Sequence, residues 1–200
     1  MRVTVIDYRA GNLTSVVKAL RTLGAEVLVT EDAEAVRRAE RIVLPGVGHF
    51  AATRRLEETG IRSAVSEAVS RQVPFLGICV GLQWLFAGST EAPECSGLAA
   101  LPGKCQRFAA GKKVPHVGWN SLAIQPESRL LAGIADGSFA YFTHSYWAPV
   151  GDDTVAVTNY GEPFSAVVER GSVMGVQFHP EKSGETGLKV LRNFLELPAC

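Results

Sequence analysis

Net charge is the first thing this 200-residue sequence lacks. Twenty Lys and Arg are balanced by twenty Asp and Glu. A chain that grips nucleic acid relies on excess positive charge, so that class is disfavoured. Cysteine is scarce, with four residues at Cys79, Cys95, Cys105 and Cys200. None forms a C-x-x-C pair, which removes a zinc knuckle or a thioredoxin-type dithiol. In a reducing compartment each is expected to be free. Long apolar runs are missing too. The longest, Phe75 to Phe86, contains two glycines and Gln83 and is too short to cross a bilayer. The opening MRVTVIDYRAGN meets Asp7 before a signal-peptide core can form. Repeats, low-complexity stretches and linkers are absent as well. A cytoplasmic protein is expected, folded as one domain over residues 1–200, with no membrane or nucleic-acid partner. At 46% apolar and 20% charged the composition is that of an ordinary globular chain. A chain this long buries roughly 70% of its unfolded surface and needs no disulfide staple.

The first half alternates strand and helix signals. Strands are predicted at Arg2–Ile6, Glu26–Thr30, Arg41–Leu44 and Val73–Ile78. Helices are predicted at Asn12–Leu23, Ala33–Ala39, Phe50–Glu58, Ile61–Gln72 and Val80–Ala87. That alternation implies parallel strands joined by right-handed crossovers, hence a three-layer α/β fold. From Cys105 to Phe178 short strand-like runs recur between Gly and Pro, which predicts antiparallel hairpins added to the sheet. They are Cys105–Phe108, Ser121–Ile124, Ser138–Phe142, Thr154–Thr158, Ser165–Glu169 and Ser172–Phe178, and a last helix is predicted over Glu185–Leu195.

The strongest chemical signal is Gly77-Ile78-Cys79-Val80-Gly81, between a buried strand and a helix. It has the form of a nucleophile elbow with Cys in place of Ser. The turn is so tight that its flanking residues must be small. Cys79 then stands at a helix N-terminus, where unpaired N–H groups favour a thiolate. The Val80 N–H faces the place where an oxyanion would develop. A buried structural cysteine is the plainer reading, and the two glycines argue against it.

A thiolate nucleophile needs an acid/base partner. Of His49, His116, His144 and His179, the last is singled out because it follows a predicted strand and has Glu181 two residues on. Glu181 can hold the second ring nitrogen and fix the tautomer. The bland alternative is a solvated acid at a helix start. Pro45-Gly46-Val47-Gly48 follows another strand, at the same expected sheet edge, where its backbone N–H groups can supply a second oxyanion donor. Alone it would read as an ordinary strand-to-helix turn.

In this order and spacing, PGVG, GICVGLQ and FHPE resemble the triad class of glutamine amidotransferases. YRAGN (Tyr8 to Asn12), PHVGWN (Pro115 to Asn120), YFTHSY (Tyr141 to Tyr146) and FHPEKSG (Phe178 to Gly184) narrow the resemblance. Together they are similar to the glutaminase-subunit family of imidazole glycerol phosphate synthases, across essentially the whole chain. The resemblance implies Cys79 as nucleophile, His179 as base and then acid, and Glu181 as the orienting carboxylate. It places the oxyanion region at Val47, Gly48 and Val80. It assigns glutamine binding to Gln83, Glu91, Ser145 and Tyr146, with His144 ordering the loop rather than titrating. It also implies docking on a (β/α)8-barrel cyclase subunit as a heterodimer, through Asn12, Trp119, Asn120, Tyr141 and Lys182. No cofactor or metal is implied. Trp84, where the family has other apolar residues, reads as core. The alternatives are a glutaminase serving another synthase, a noncatalytic sensor or binding module built on a Cys elbow, and a cysteine protease.

Overall fold

The computed structural model describes residues 1–10, 13–109, 111–125 and 127–198. Chain order runs β1 (Arg2–Ile6), α1 (Leu13–Thr22), β2 (Glu26–Thr30), α2 (Ala33–Arg37) and β3 (Ile42–Gly46). A 3-10 turn (Phe50–Thr53) leads into α3 (Arg54–Glu58) and α4 (Ile61–Ser70), then β4 (Phe75–Cys79) and α5 (Val80–Leu85). Short strands follow: β5 (Gln106–Arg107), β6 (His116–Ser121), β7 (Ala123–Ile124), β8 (Phe139–His144) and β9 (Tyr146–Trp147). The chain closes with β10 (Thr154–Asn159), β11 (Pro163–Arg170), β12 (Val173–Val176), a 3-10 turn (Pro180–Lys182) and α6 (Gly184–Glu196).

Eight strands form the main sheet in the order β2-β1-β3-β4-β12-β11-β10-β7. The first five of that order are parallel, and β11, β10 and β7 extend the sheet antiparallel. β3 and β4 are buried at every residue, because a parallel strand covered on both faces has no solvent side. The chain leaves β1 in one direction along the sheet and returns to β3 in the other. Right-handed crossovers therefore put α1 and α2 on opposite faces. α6 packs with α1, and α4 packs with α2, which completes three layers. Each layer helix turns an apolar stripe inward: Val16, Val17 and Leu20 in α1, and Ile61, Ala64, Val65 and Ala68 in α4. No helix among the described residues is long and apolar enough to cross a membrane.

The expected fold class holds, with local differences. The added hairpins do not all join the main sheet: β5 pairs with β9, and β6 with β8, as separate two-stranded ribbons. β6 falls in a segment read only as a motif. Gly118, at φ +138°, interrupts it, and its outer face carries the exposed Val117 and Trp119, so neither strand periodicity nor a buried run betrays it. The run Ser121–Ile124 is divided, with Ser121 ending β6 and Ala123 beginning β7. Phe50–Glu58 is also divided, because His49 Nδ1 caps a 3-10 turn ahead of α3. Trp84 is core, 1% exposed, with its ring tilted against Phe75. Among the described residues, Cys79, Cys95 and Cys105 are free thiols, all buried. Asn12 and Cys200 lie outside the described residues.

Candidate active site

Three neighbouring parallel strands deliver the site. β4 ends at Cys79, which sits opposite Gly46 at the end of β3. On the other side β12 runs parallel to β4, with Val176 opposite Ile78. The chain then continues through Gln177 and Phe178 to His179. The PGVG loop, Cys79 and His179 thus meet at the carboxyl edge of the sheet, where ligands of open α/β sheets collect.

Cys79 has φ +55° and ψ −107°, a conformation costly for any residue with a side chain. The elbow around it has no room for side chains. A Cβ at Gly77 would stand 2.4 Å from the Gly81 carbonyl oxygen, and one at Gly81 1.9 Å from the Leu44 carbonyl oxygen. Backbone packing, not turn preference alone, therefore selects both glycines. Gly48 differs: a Cβ there would touch nothing within 4 Å, but its φ of +92° requires glycine.

His179 Nδ1 lies 2.9 Å from Glu181 Oε1, and both side chains are almost fully buried, at 2% and 3% exposure. Burial alone would lower the basicity of the ring. The Cys79 sulfur on one side and the Glu181 carboxylate on the other more than reverse this, holding the pKa up at about 10. A ring kept in its charged form is the counterion that a thiolate requires. Nε2 and the second Glu181 oxygen, Oε2, are buried without a hydrogen-bond partner of good geometry. Nε2 is the atom a proton carrier would use. The Lys182 and Ser183 amides hold the 3-10 turn after His179, and Ser183 Oγ donates to the His179 carbonyl at 2.7 Å.

A cleft of about 230 Å³ opens beside the sulfur, lined by Val47, Gly48, Val80, Gln83, Glu91 and the loop from Thr143 to Tyr146. Gln83 Nε2 donates to the Tyr146 carbonyl at 2.9 Å. His144 Nδ1 meets the same oxygen at 2.8 Å. Glu91 Oε2 accepts from the Phe50 amide at 2.8 Å, tying the segment after the PGVG loop to the cleft wall. Larger hollows on the β2 side of the molecule are lined by neither cysteine nor histidine. Among the described residues no His, Cys, Asp and Glu cluster is arranged to hold a metal ion.

Trp119, 55% exposed, meets the Tyr141 ring edge-on at 6.0 Å, and its indole lies beside Gly184, two residues after the exposed Lys182. Tyr141 joins this patch to the site, since its carbonyl accepts from the His179 amide at 2.9 Å. Asn120, by contrast, turns inward and donates to the Asn159 carbonyl at 3.0 Å.

Two residues near the sulfur escaped the sequence reading. Gln177 is fully buried, with Nε2 donating to Cys79 Sγ at 3.7 Å and Oε1 accepting from Gln83 at 3.3 Å. A lone amide inside an apolar strand was the available signal. Tyr8 buries its hydroxyl next to Gly46 without a partner, and burial together with the neighbouring Cys79 pushes its ionisation up.

Comparison with known proteins bears on the family. Residues 4–197 match the family model described as glutamine amidotransferase class-I. The chain is 48% identical over 197 residues to the imidazole glycerol phosphate synthase subunit HisH of Methanothermobacter thermautotrophicus, covering 98% of each chain. It is 46% identical to the subunit of the same name from Moorella thermoacetica, covering 98% of this chain and 94% of that one. Among solved structures, a crystal structure of a glutamine amidotransferase superposes with a TM-score of 0.77 at 23% identity, over 97% of both chains. PurLQS from Thermotoga maritima superposes with a TM-score of 0.74 at 21% identity, again over 97% of both chains. At such identities these two structures speak for the fold alone.

Proposed function

From the premise that this chain belongs to the class-I glutamine amidotransferase family, we propose that it is the glutaminase subunit of an imidazole glycerol phosphate synthase. In that role it hydrolyses L-glutamine to glutamate and hands the ammonia to a (β/α)8-barrel cyclase partner in histidine biosynthesis. The observation that carries the reading is Cys79 in its strained elbow, facing a cleft of amino-acid size, beside a His179 whose far nitrogen is tied to Glu181.

The steps follow from these groups. The Cys79 thiolate attacks the side-chain amide carbon of glutamine, and the carbonyl electrons move onto oxygen. We assign that oxyanion to the Val80 amide and the Val47–Gly48 segment, which line the same cleft as Cys79. His179 gives its proton to the amide nitrogen, ammonia leaves, and a glutamyl thioester remains. His179 then takes a proton from water, the hydroxide attacks the thioester, and glutamate departs as Cys79 is restored. Splitting amide cleavage into two steps lowers each barrier. Glu181 keeps the ring oriented and offsets its charge. Gln83, Glu91, Ser145 and Tyr146 hold the amino-acid end of the substrate.

Ammonia released into water would be protonated and lost as a nucleophile, which makes a sealed junction with the synthase necessary. Exposed Trp119, with Tyr141 and Lys182 near the catalytic edge, has the make-up of an interface hot spot and its charged rim. Asn120 joins it by position rather than by exposure. We place the protein in the cytoplasm, where histidine biosynthesis runs. The test is glutamate release by the protein alone, with the cyclase subunit and its nucleotide substrate, and by Cys79→Ala. Activity that rises with the partner and is absent in the variant is expected. Activity indifferent to the partner would assign the same chemistry to another synthase. A folded protein inactive under every condition would overturn the glutaminase reading in favour of a sensor module.

A further inference from the structure

The ribbon of β6 and β8 has two different faces. Its outward residues include Val117, Trp119 and Phe139, each more than half exposed. Its inward residues include His116, Ala140, Phe142 and His144, all buried. His116 and His144 stand directly opposite each other in the register. Aromatic rings enclose them: His116 stacks on Tyr160 at 4.1 Å and on Phe142 at 5.1 Å, and Phe108 and Phe164 lie against His144.

With both rings neutral, the hydrogen bonds of this pair run in one direction. The Tyr146 carbonyl, 2.8 Å from His144 Nδ1, can only accept, so Nδ1 carries the proton. Burial keeps His144 neutral, so its Nε2 must accept. His116 Nδ1, 3.1 Å away, therefore donates. Burial keeps this ring neutral as well, and its Nε2 accepts from the Asn120 amide at 3.4 Å. Every donor in this relay faces an acceptor. At the far end the Tyr146 carbonyl also receives Gln83 Nε2, and the second Gln83 N–H reaches Gln177, whose own amide points at Cys79 Sγ. Both Gln83 N–H groups are thereby committed, and its oxygen is what it has left to offer the cleft.

Resting on the glutaminase reading above, we infer that His116 and His144 are positioning residues for glutamine. They form a neutral, directional relay that fixes the Tyr146 carbonyl and, through it, the Gln83 amide. The ribbon then ties the Trp119 and Tyr141 face to the substrate cleft, so a partner seated on that face acts on glutamine binding through the same relay. The need for two neutral rings is physical. Protonating His116 would set an N–H against the Asn120 N–H, beside a ring packed between Tyr160 and Phe142.

Two variants separate this role from mere packing. His116→Phe keeps the stacked ring and removes the relay. His116→Asn loses the ring but restores an amide donor near the Nδ1 position. With the cyclase subunit present, His116→Phe is expected to raise KM for glutamine about tenfold, with a smaller change in kcat and a reduced stimulation by the partner, since one lost buried donor is of that order. His116→Asn is expected to recover most of the KM despite lower thermal stability. The reverse order, with Phe harmless and Asn damaging, would show a purely structural ring and overturn the inference. A second measurement does not depend on activity. Nitrogen-15 NMR of labelled histidine should show both rings neutral and protonated at Nδ1, the tautomer less favoured in water. A ring found charged, or protonated at Nε2, at neutral pH would break the relay. If the unaltered protein releases no glutamate, the glutaminase reading and the substrate role fall together, and the tautomers still decide whether the relay exists.

Discussion

Replacing Gly81 by alanine tests the elbow most directly. The new Cβ would lie 1.9 Å from the Leu44 carbonyl oxygen and 3.0 Å from its carbon. Real Cβ atoms essentially never come within 3.0 Å of a heavy atom, so α5 and β3 must part by more than 1 Å. The obstacle is backbone on a fully buried strand, with no flexible side chain to swing aside. Overpacking of this kind costs about 1–3 kcal/mol, which for a chain of this length lowers Tm by roughly 2–12 °C. The kinetic effect is larger. Val80 and Cys79 move with α5, and a misplacement of about 1 Å in a catalytic constellation costs on the order of 100-fold in rate. The assay is glutamate release with the cyclase subunit, beside thermal unfolding of the same sample. A Gly81→Ala protein with parental kcat and Tm would refute the reasoning, because it would mean the elbow does not hold Cys79 against β3. Gly48→Ala meets no atom, so its stability cost is the backbone strain at φ +92°, about 1–3 kcal/mol, borne locally by the loop.

Glu181→Gln removes the charge that helps hold His179 up. The His179 pKa is expected to fall, the alkaline limb of the kcat profile to move to lower pH, and kcat to drop at least about tenfold; an unchanged profile would remove Glu181 from the triad. Stability should follow the buried ribbon histidines. Their folded pKa values, about 4 for His116 and about 3 for His144, lie below the ordinary 6.5, so the unfolded chain binds more protons once the pH drops below about 6.5. Their contribution is full above that point and is lost as pH falls towards 4, and Tm should already decline between pH 6.5 and 5, before most carboxylates titrate. His179 works in the opposite sense, giving its stability below about 6.5 and losing it as pH rises towards 10. At the proposed junction, Trp119→Ala should weaken the complex about tenfold or more while leaving Tm nearly unchanged, since the ring is 55% exposed. Lys182→Ala should weaken stimulation by the partner more than it slows thioester formation, measured by trapping of Cys79; equal losses in both would place Lys182 in the chemistry instead.

Sequence alone carried the first four parallel strands and the nucleophile, but it grouped Ser172–Phe178 with the antiparallel hairpins, whereas β12 runs parallel to β4. The four strands and the elbow are local: a parallel strand covered on two faces must be a short apolar run, and an elbow of this tightness admits only small flanking residues, so GICVG is legible without coordinates. The antiparallel half was legible as strands except for β6 and β9, but not as sheets. Runs of two to eight residues pair according to which neighbours reach them, and no local pattern states that β6 and β8 leave the main sheet. The split at Leu122, where one run serves two sheets, is a decision of tertiary packing in the same way.

What the sequence determined by itself is therefore the set of chemically capable groups and the strand ends that carry them: Cys79 at the end of β4, His179 after β12, and the PGVG segment at the end of β3. Only the tertiary structure decided what surrounds those groups. It set Gln177 against the sulfur, turned Asn120 inward while leaving Trp119 outside, and faced His116 with His144 across the ribbon. The reason is sequence distance. These contacts join residues 28 to 98 positions apart, and hydrogen-bond direction and burial at such separations are set by how layers pack, which no local propensity encodes.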